Sequence, residues 1–240
     1  MPLLHTAVSV EVTGRLSRFR EQLRTDHLND KERVSLVKIC KEYHDIFHLS
    51  GDKLTCTTAA DHAIPTATIN PSRAINTKSF RIPEINEEEV ERQIEQMLND
   101  DIIQPSTSPW NSPILVIPKK IDASGNQKFR IVVDFRKLND VTVGNSLPIL
   151  MISEILDTLG NSKYFSTIDC ASGFLQIPAK QEDRHKTAFS AAYEHYEYKR
   201  KPVGLKCAPS TFQRFMSTVL SGMQGLKCPV YLDDIIFAEI

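Results

Sequence analysis

Pro229-Val230-Tyr231-Leu232-Asp233-Asp234-Ile235-Ile236-Phe237 is the stretch on which the reading of this 240-residue chain turns. Two apolar runs are separated by two aspartates alone, which predicts two strands joined by an acidic two-residue turn, Asp233-Asp234. Holding such carboxylates together is costly, since like charges about 4 Å apart repel by roughly 4 kcal/mol at an effective dielectric of 20. An Asp-Asp pair in a hairpin is ordinarily turn chemistry, because aspartate tolerates that backbone geometry. A third acid shifts the balance. Lys163-Tyr164-Phe165-Ser166-Thr167-Ile168 reads as a strand running directly into Asp169. Three carboxylates converging from two strand ends suit Mg²⁺, a hard cation that prefers carboxylate oxygens and leaves positions for water and phosphate. In a two-ion site of this kind one metal activates an attacking oxygen and the other stabilises the leaving oxygen of a phosphoryl displacement.

Upstream of the acidic turn, Pro209 and Ser210 open a helix with Phe212, Phe215, Met216, Val219 and Leu220 on one face, closed by Gly222; such a helix requires a sheet to cover. Further back, Ile114-Leu115-Val116-Ile117 and Phe129-Arg130-Ile131-Val132-Val133 flank a Gly-Asn turn and read as a hairpin. Residues 118–137 hold six Lys or Arg against two Asp, so the hairpin tip is basic. Asn86 followed by Glu89 resembles a capping box, and Val90, Ile94, Met97 and Leu98 make the apolar stripe of a helix that Pro105 and Pro109 end. Nearer the start, Asn29 or Asp30 caps a helix carrying Leu36, Val37, Cys40, Tyr43 and Phe47 on one face, with Gly51 to stop it. From there to Pro83 the prolines and the lack of periodicity predict extended, surface-hugging chain.

Composition excludes several classes. With 41% hydrophobic and 25% charged residues the chain is neither disordered, collagen-like nor a coiled coil. A net charge of −1 excludes a uniformly basic nucleic-acid coat and leaves room for a local basic groove. Five cysteines without a Cys-x-x-Cys spacing point to a reducing, intracellular compartment. No signal peptide and no run of 18 apolar residues is present, so no membrane span or membrane partner is expected. Cys40, His44 and His48 recur at helical spacing, but no fourth ligand sits at a familiar distance and Tyr43 and Phe47 share their face, which reads as a docked helix. Gly-x-Gly-x-x-Gly and Gly-x-Ser-x-Gly are absent, against dinucleotide binding and hydrolase chemistry.

Tyr231-Leu232-Asp233-Asp234 resembles the active-site tetrad of retroelement reverse transcriptases, and Tyr164-Phe165-Ser166-Thr167-Ile168-Asp169-Cys170-Ala171-Ser172-Gly173-Phe174 resembles their first catalytic motif. Trp110-Asn111-Ser112-Pro113-Ile114, Phe129-Arg130-Ile131-Val132-Val133-Asp134-Phe135-Arg136-Lys137-Leu138-Asn139, Lys186-Thr187-Ala188-Phe189-Ser190 and Gly204-Leu205-Lys206-Cys207-Ala208-Pro209-Ser210-Thr211-Phe212-Gln213 follow in an order similar to the Ty3/gypsy-type LTR retrotransposon and errantivirus polyproteins. Thr25-Asp26-His27-Leu28-Asn29 and Tyr43-His44-Asp45-Ile46-Phe47 resemble the stretch that links protease to polymerase there.

The resemblance implies an α+β fold, the fingers and partial palm of a right-hand polymerase over residues 86–240, lacking a thumb, after a connector over residues 1–85. The implied function is RNA-directed DNA polymerase, with an RNA or DNA template, a primer and deoxynucleoside triphosphates as partners. The alternative is a truncated, inactive fragment with weak, salt-dependent nucleic-acid binding, because the chain stops at Ile240 and the thumb, ribonuclease H and integrase of a parent polyprotein are missing; the palm edge near Phe237 is then uncovered. By the same resemblance Asp169 and Asp233 bind two Mg²⁺ ions, with Mn²⁺ as a substitute, Asp234 supports them and the Cys170 carbonyl completes one shell. Phe174 is the steric gate against a ribonucleotide's 2′-hydroxyl. Lys119 or Lys120, with Arg130, reaches the triphosphate. Val203 and Gly204 line the nucleotide pocket and Gln213 lies on a helix beneath the sheet, with plain packing an open alternative for all three. Tyr231 meets nucleic acid. The basic residues Lys180, Arg184, Lys186, Lys199, Arg200, Lys201 and Lys206 face template or primer phosphates or simply solvent. Val203, Leu175 and Lys201 depart from the Phe, His and Met common in related elements.

Overall fold

The structure, a computed structural model, describes residues 14–21, 23–49, 51–67, 74–119, 127–145, 152–160, 162–223 and 228–239. They belong to two units, Met1–Lys53 and Leu54–Ile240. In the first, Asn29 caps helix α1 (Asp30–Glu42) by accepting the Glu32 N–H at 3.0 Å, while the Glu32 carboxylate accepts the Asn29 N–H at 2.9 Å, so the first turn's free donors are satisfied reciprocally. The helix ends at Glu42, well short of Gly51, and Tyr43 and Phe47 lie beyond it. Phe19, Cys40 and Leu49 form its small core. Asp52 locks the following loop: its carboxylate accepts from the Leu49 N–H and from the Arg15 guanidinium, and these bonds, the Leu49 one foremost, hold it below the usual carboxylate range.

The second unit contains three small sheets. Strands β1 (Ile103–Pro105), β6 (Glu194–Tyr198) and β5 (Phe189–Ala191) make one in the order β1-β6-β5. The expected hairpin is β2 (Ile114–Pro118) with β3 (Phe129–Val133), Ile114 opposite Val133; its tip lies outside the described residues. The third sheet, β4-β8-β7, comprises β4 (Tyr164–Asp169), β8 (Asp234–Glu239) and β7 (Val230–Tyr231). β4 is an edge strand with all six residues exposed, and β7 reaches only as far as Ile235 along β8.

Helix α2 (Glu87–Asn99) packs Val90 and Ile94 into the core formed with Ile103, Ile114, Phe135, Leu138 and Phe189. Its Gln93 amide donates to the Phe129 carbonyl at 3.0 Å and accepts the Ile131 N–H at 3.1 Å, occupying an edge of β3 that would otherwise need a strand. Short helices α3 (Arg136–Val141) and α4 (Ile152–Leu159) follow the hairpin. Helix α5 (Ala208–Val219) presents Phe212 and Met216 to a second core with Ile177, Val230 and Ile235 beneath the third sheet. No helix among the described residues is long and apolar enough to cross a membrane.

Three local expectations are corrected. Asn86 makes no side-chain cap; it closes a 3₁₀ turn, Glu84–Asn86, that feeds α2 directly. That helix stops not at Pro105 but at Asn99, where Asp101 adopts φ +56 and the Asp101 and Ile102 N–H groups turn back to the Leu98 and Met97 carbonyls. The described residues between 54 and 85 fall in the second unit. Between residues 54 and 67 they are extended as expected, but not confined to the surface: His62 and Ile64 are buried, and His62 bridges Ala179.

The His62 ring is hydrogen-bonded to the Thr211 hydroxyl at 3.0 Å, and its Nε2 has no partner among the described residues. Burial, with the charge of Lys201 adding to it, pushes the imidazole down to about 4 from 6.5. The folded chain therefore favours the neutral ring, and its contribution is intact above about pH 6.5 and lost as pH falls toward about 4. The loss has an upper limit of about 3 kcal/mol. Urea denaturation between pH 7 and 4.5 is expected to show the wild type losing stability more steeply than His62→Gln; parallel curves would refute this assignment.

Candidate active site

The acidic turn is displaced by one residue from its expected place. Tyr231 pairs with Asp234 and Val230 with Ile235, so Leu232-Asp233 is the two-residue loop and Asp234 already belongs to β8. Leu232 adopts φ +56, a left-handed conformation that costs a residue with a Cβ about 1–2 kcal/mol. The compensation comes from α5, where the buried Gln213 amide accepts the Leu232 N–H at 3.1 Å and donates to the Val230 carbonyl at 3.4 Å. Gln213, assigned above to a helix under the sheet, is a latch on the catalytic-motif turn.

On its other side β8 pairs with β4, from Tyr164 opposite Glu239 to Asp169 opposite Asp234, and beyond the ladder the Cys170 N–H donates to the Asp233 carbonyl at 3.1 Å. Directly opposed residues share a sheet face with Cβ atoms about 5 Å apart, so Asp169 and Asp234 are neighbours by register. The Cys170 thiol reports the same convergence: burial first, then the charges of Asp169, Asp233 and Asp234 together, push it up. Among the described residues no three His, Cys, Asp or Glu side chains stand close enough to hold a metal ion. The donor chemistry nevertheless fits a hard divalent cation, since the strand ends offer three carboxylates. The Cys170 carbonyl accepts the Gly173 N–H at 2.9 Å and keeps a second lone pair.

Phe174 follows on a 3₁₀ turn, Gly173–Gln176. Gly173 is required by space: a Cβ there would lie 2.8 Å from Phe212 Cζ and 2.9 Å from Cys170 Cβ. Without one, the Phe174 and Phe212 rings stack with centroids 5.1 Å apart and planes 7° apart. The Phe174 ring is half-buried and packs against both cores of the unit. Over it sits Lys201, wholly buried, its Nζ 3.6 Å from the ring centroid; burial pushes this ammonium down to about 7, with Asp233 opposing. Two residues on, Val203 is 65% exposed and Gly204 takes φ +94, which favours glycine. Asn139 fixes this loop from α3, donating to the Gly204 carbonyl at 2.8 Å and accepting the Lys206 N–H at 2.7 Å.

Lys119 and Arg130 are exposed on the β2–β3 hairpin, a sheet separate from that of the aspartates, and Lys120 lies outside the described residues. The other basic residues are largely consumed within the fold. Arg200 is 6% exposed and donates to the carbonyls of Leu54, Thr55, Asp100, Asp101 and Leu175. Lys186 bonds Asp183 and the Ile64 carbonyl, Lys199 pairs with Asp101, Arg184 donates to the Ala179 carbonyl and Lys206 to that of Thr142. For Arg200 and Lys201 this corrects the expectation of phosphate or solvent contact, because neither reaches the surface. Their partners are backbone carbonyls and ring faces, which a count of charges along the sequence does not reveal.

The class that this fold and site define is confirmed by comparison with known proteins. Residues 117–239 match the family model described as reverse transcriptase (RNA-dependent DNA polymerase), and the chain belongs to that family. Among curated proteins it is similar to the retrovirus-related Pol polyprotein from transposon 297 of Drosophila melanogaster, 45% identical over 90% of this chain and 20% of that protein. The corresponding polyprotein from transposon opus is 43% identical over 90% of this chain and 21% of its own length. The chain thus spans about a fifth of these relatives. Among solved structures it resembles the foamy viral protease-reverse transcriptase in complex with RNA/DNA hybrid, with a TM-score of 0.78, 23% identity, and coverage of 100% of this chain and 30% of that one. For the same protein in complex with dsDNA the values are 0.77, 25%, 94% and 45%. The reverse transcriptase fold expected from the sequence is therefore the fold of this chain.

If Gln213 is the latch on the turn, Gln213→Leu leaves the Leu232 N–H and Val230 carbonyl unsatisfied, at a cost of about 2 kcal/mol. Hydrogen exchange should show the Leu232 amide at least tenfold faster while α2 amides are unchanged; equal protection at Leu232 would refute the latch.

Proposed function

We propose that this chain carries the nucleotidyl-transfer centre of an RNA-directed DNA polymerase of the retrotransposon type. The observation that carries the reading is the register of β4 against β8, which sets Asp169 opposite Asp234 with Asp233 in the adjoining turn. The reaction is attack of a primer 3′-hydroxyl on the α-phosphate of a deoxynucleoside triphosphate, with pyrophosphate leaving. Asp169 and Asp233 would hold two Mg²⁺ ions, Asp234 would support them and the Cys170 carbonyl would supply a further oxygen. Such ions, when bound, neutralise phosphate charge and act as Lewis acids.

The rest is performed by the chain's own groups. Phe174, at the foot of the same sheet, presents an apolar ring where the sugar of an incoming nucleotide lies and excludes a 2′-hydroxyl. Lys119 or Lys120 supplies a point charge and Arg130 a guanidinium fork for the triphosphate; Val203 and Gly204, exposed on the loop held by Asn139, border the base. Tyr231, paired with Asp234, contacts the primer strand. A primed RNA or DNA template as partner is supported by the hybrid and duplex that accompany the solved foamy viral proteins.

Labelled deoxynucleotide should be incorporated on a primed template with Mg²⁺ or Mn²⁺, and Asp233→Asn should reduce this at least a hundredfold. Absence of incorporation by the wild type with either ion, or full activity in Asp233→Asn, would overturn the reading.

A further inference from the structure

Lys201 is an unusual constituent of a protein interior. It is wholly buried, its backbone N–H donates to the Ile177 carbonyl at 2.8 Å, and its Nζ donates to the Ala208 carbonyl at 3.1 Å. No ion pair with Lys201 occurs among the described residues, and a desolvated ammonium without a carboxylate needs other compensation. Aromatic faces supply it: Nζ stands 3.6 Å from the centroid of Phe174 and 5.0 Å from that of Phe212. The interaction is directional, because the attraction depends on the cation lying over the ring face. Phe174 has no polar atom of its own, and it is only half-buried at the junction of two cores. Stacking on Phe212 constrains the tilt of the ring, whereas small displacements parallel to the stack, made through the ring's side-chain torsions, disturb that contact least. A cation anchored at both its backbone and its tip opposes those displacements.

We propose that Lys201 is a positioning residue: its ammonium, held by the Ala208 carbonyl and the faces of Phe174 and Phe212, fixes the Phe174 ring and thereby sets how strictly the chain distinguishes deoxyribonucleoside from ribonucleoside triphosphates. This rests on the reading of Phe174 as the sugar gate. Lys201→Met keeps the unbranched stem and removes the charge, so it separates the electrostatic role from simple filling of space.

The test compares the dissociation constants of a Mg²⁺-bound deoxyribonucleoside triphosphate and its ribo counterpart, with annealed primer and template, at pH 6, for the full chain. Phe174→Val should narrow the preference for the deoxy form; Lys201→Met should narrow it about tenfold. In the double variant Lys201→Met should add nothing, because it acts through the ring. An unchanged ratio in Lys201→Met beside a narrowed one in Phe174→Val overturns the positioning role and leaves the gate standing. An unchanged ratio in Phe174→Val removes the gate and this inference with it, as does failure of the wild type to bind either triphosphate. Should Lys201→Met not fold, fluorination of the Phe174 ring weakens its face without changing its shape and must itself narrow the ratio; if it does not, the proposal falls.

Discussion

The ladder between β4 and β8 is the constraint from which the site follows. Six antiparallel pairs, from Tyr164 opposite Glu239 to Asp169 opposite Asp234, bring to one sheet face two carboxylates that their own charges would drive apart. The opposing force is not local to the acids. It comes from the backbone hydrogen bonds of the ladder and from the face of β8 that carries Ile235 and Phe237, where Ile235 packs with Phe212, Met216 and Val230. A one-residue slip would turn this apolar set outward and the aspartates apart, so the hydrophobic pattern of β8 also specifies the electrostatics of its end.

The parts of this arrangement written in short-range pattern were legible. The Tyr164–Asp169 strand, the Ile114–Val133 hairpin and the helix carrying Phe212 and Met216 are each written in short runs, and the pairing that sets Asp169 opposite Asp234 follows from two of those runs becoming β4 and β8. What was not legible depends on partners far along the chain. Nothing around Leu232 announces a left-handed residue, since the group that stabilises it, Gln213, is nineteen positions away and on another element. Strand β1 contains Pro105 and spans three residues, so its existence depends on β6, more than ninety positions later. The end of α2 was read from prolines, the loudest helix breakers nearby, whereas an aspartate at φ +56 stops it earlier.

Charge was the least readable property. Between Lys180 and Lys206 the basic residues look like a nucleic-acid surface, yet Arg200 gathers five carbonyl oxygens from three segments, residues 54–55, 100–101 and 175. A guanidinium suits this role because it presents five donors in a rigid plane and needs no carboxylate to satisfy them. Loops that end without secondary structure must place their carbonyls somewhere, and one buried cation serves several at once. For the proposed function, phosphate contacts in this region would draw on fewer charges than the sequence carries.

Helix α5 unites the remaining features. Its consecutive residues Phe212 and Gln213 point to different partners: the ring lies against Phe174, and the amide grips the backbone on either side of Tyr231. Gly173 is the concession that lets the ring come so close, and the same glycine bonds back to the Cys170 carbonyl beside Asp169. The acidic turn and the aromatic ring next to it are therefore referenced to one turn of one helix rather than to two loops. Because a helix transmits displacement without bending at that scale, a shift of α5 moves both together, and their separation is conserved even where each loop alone is free to drift.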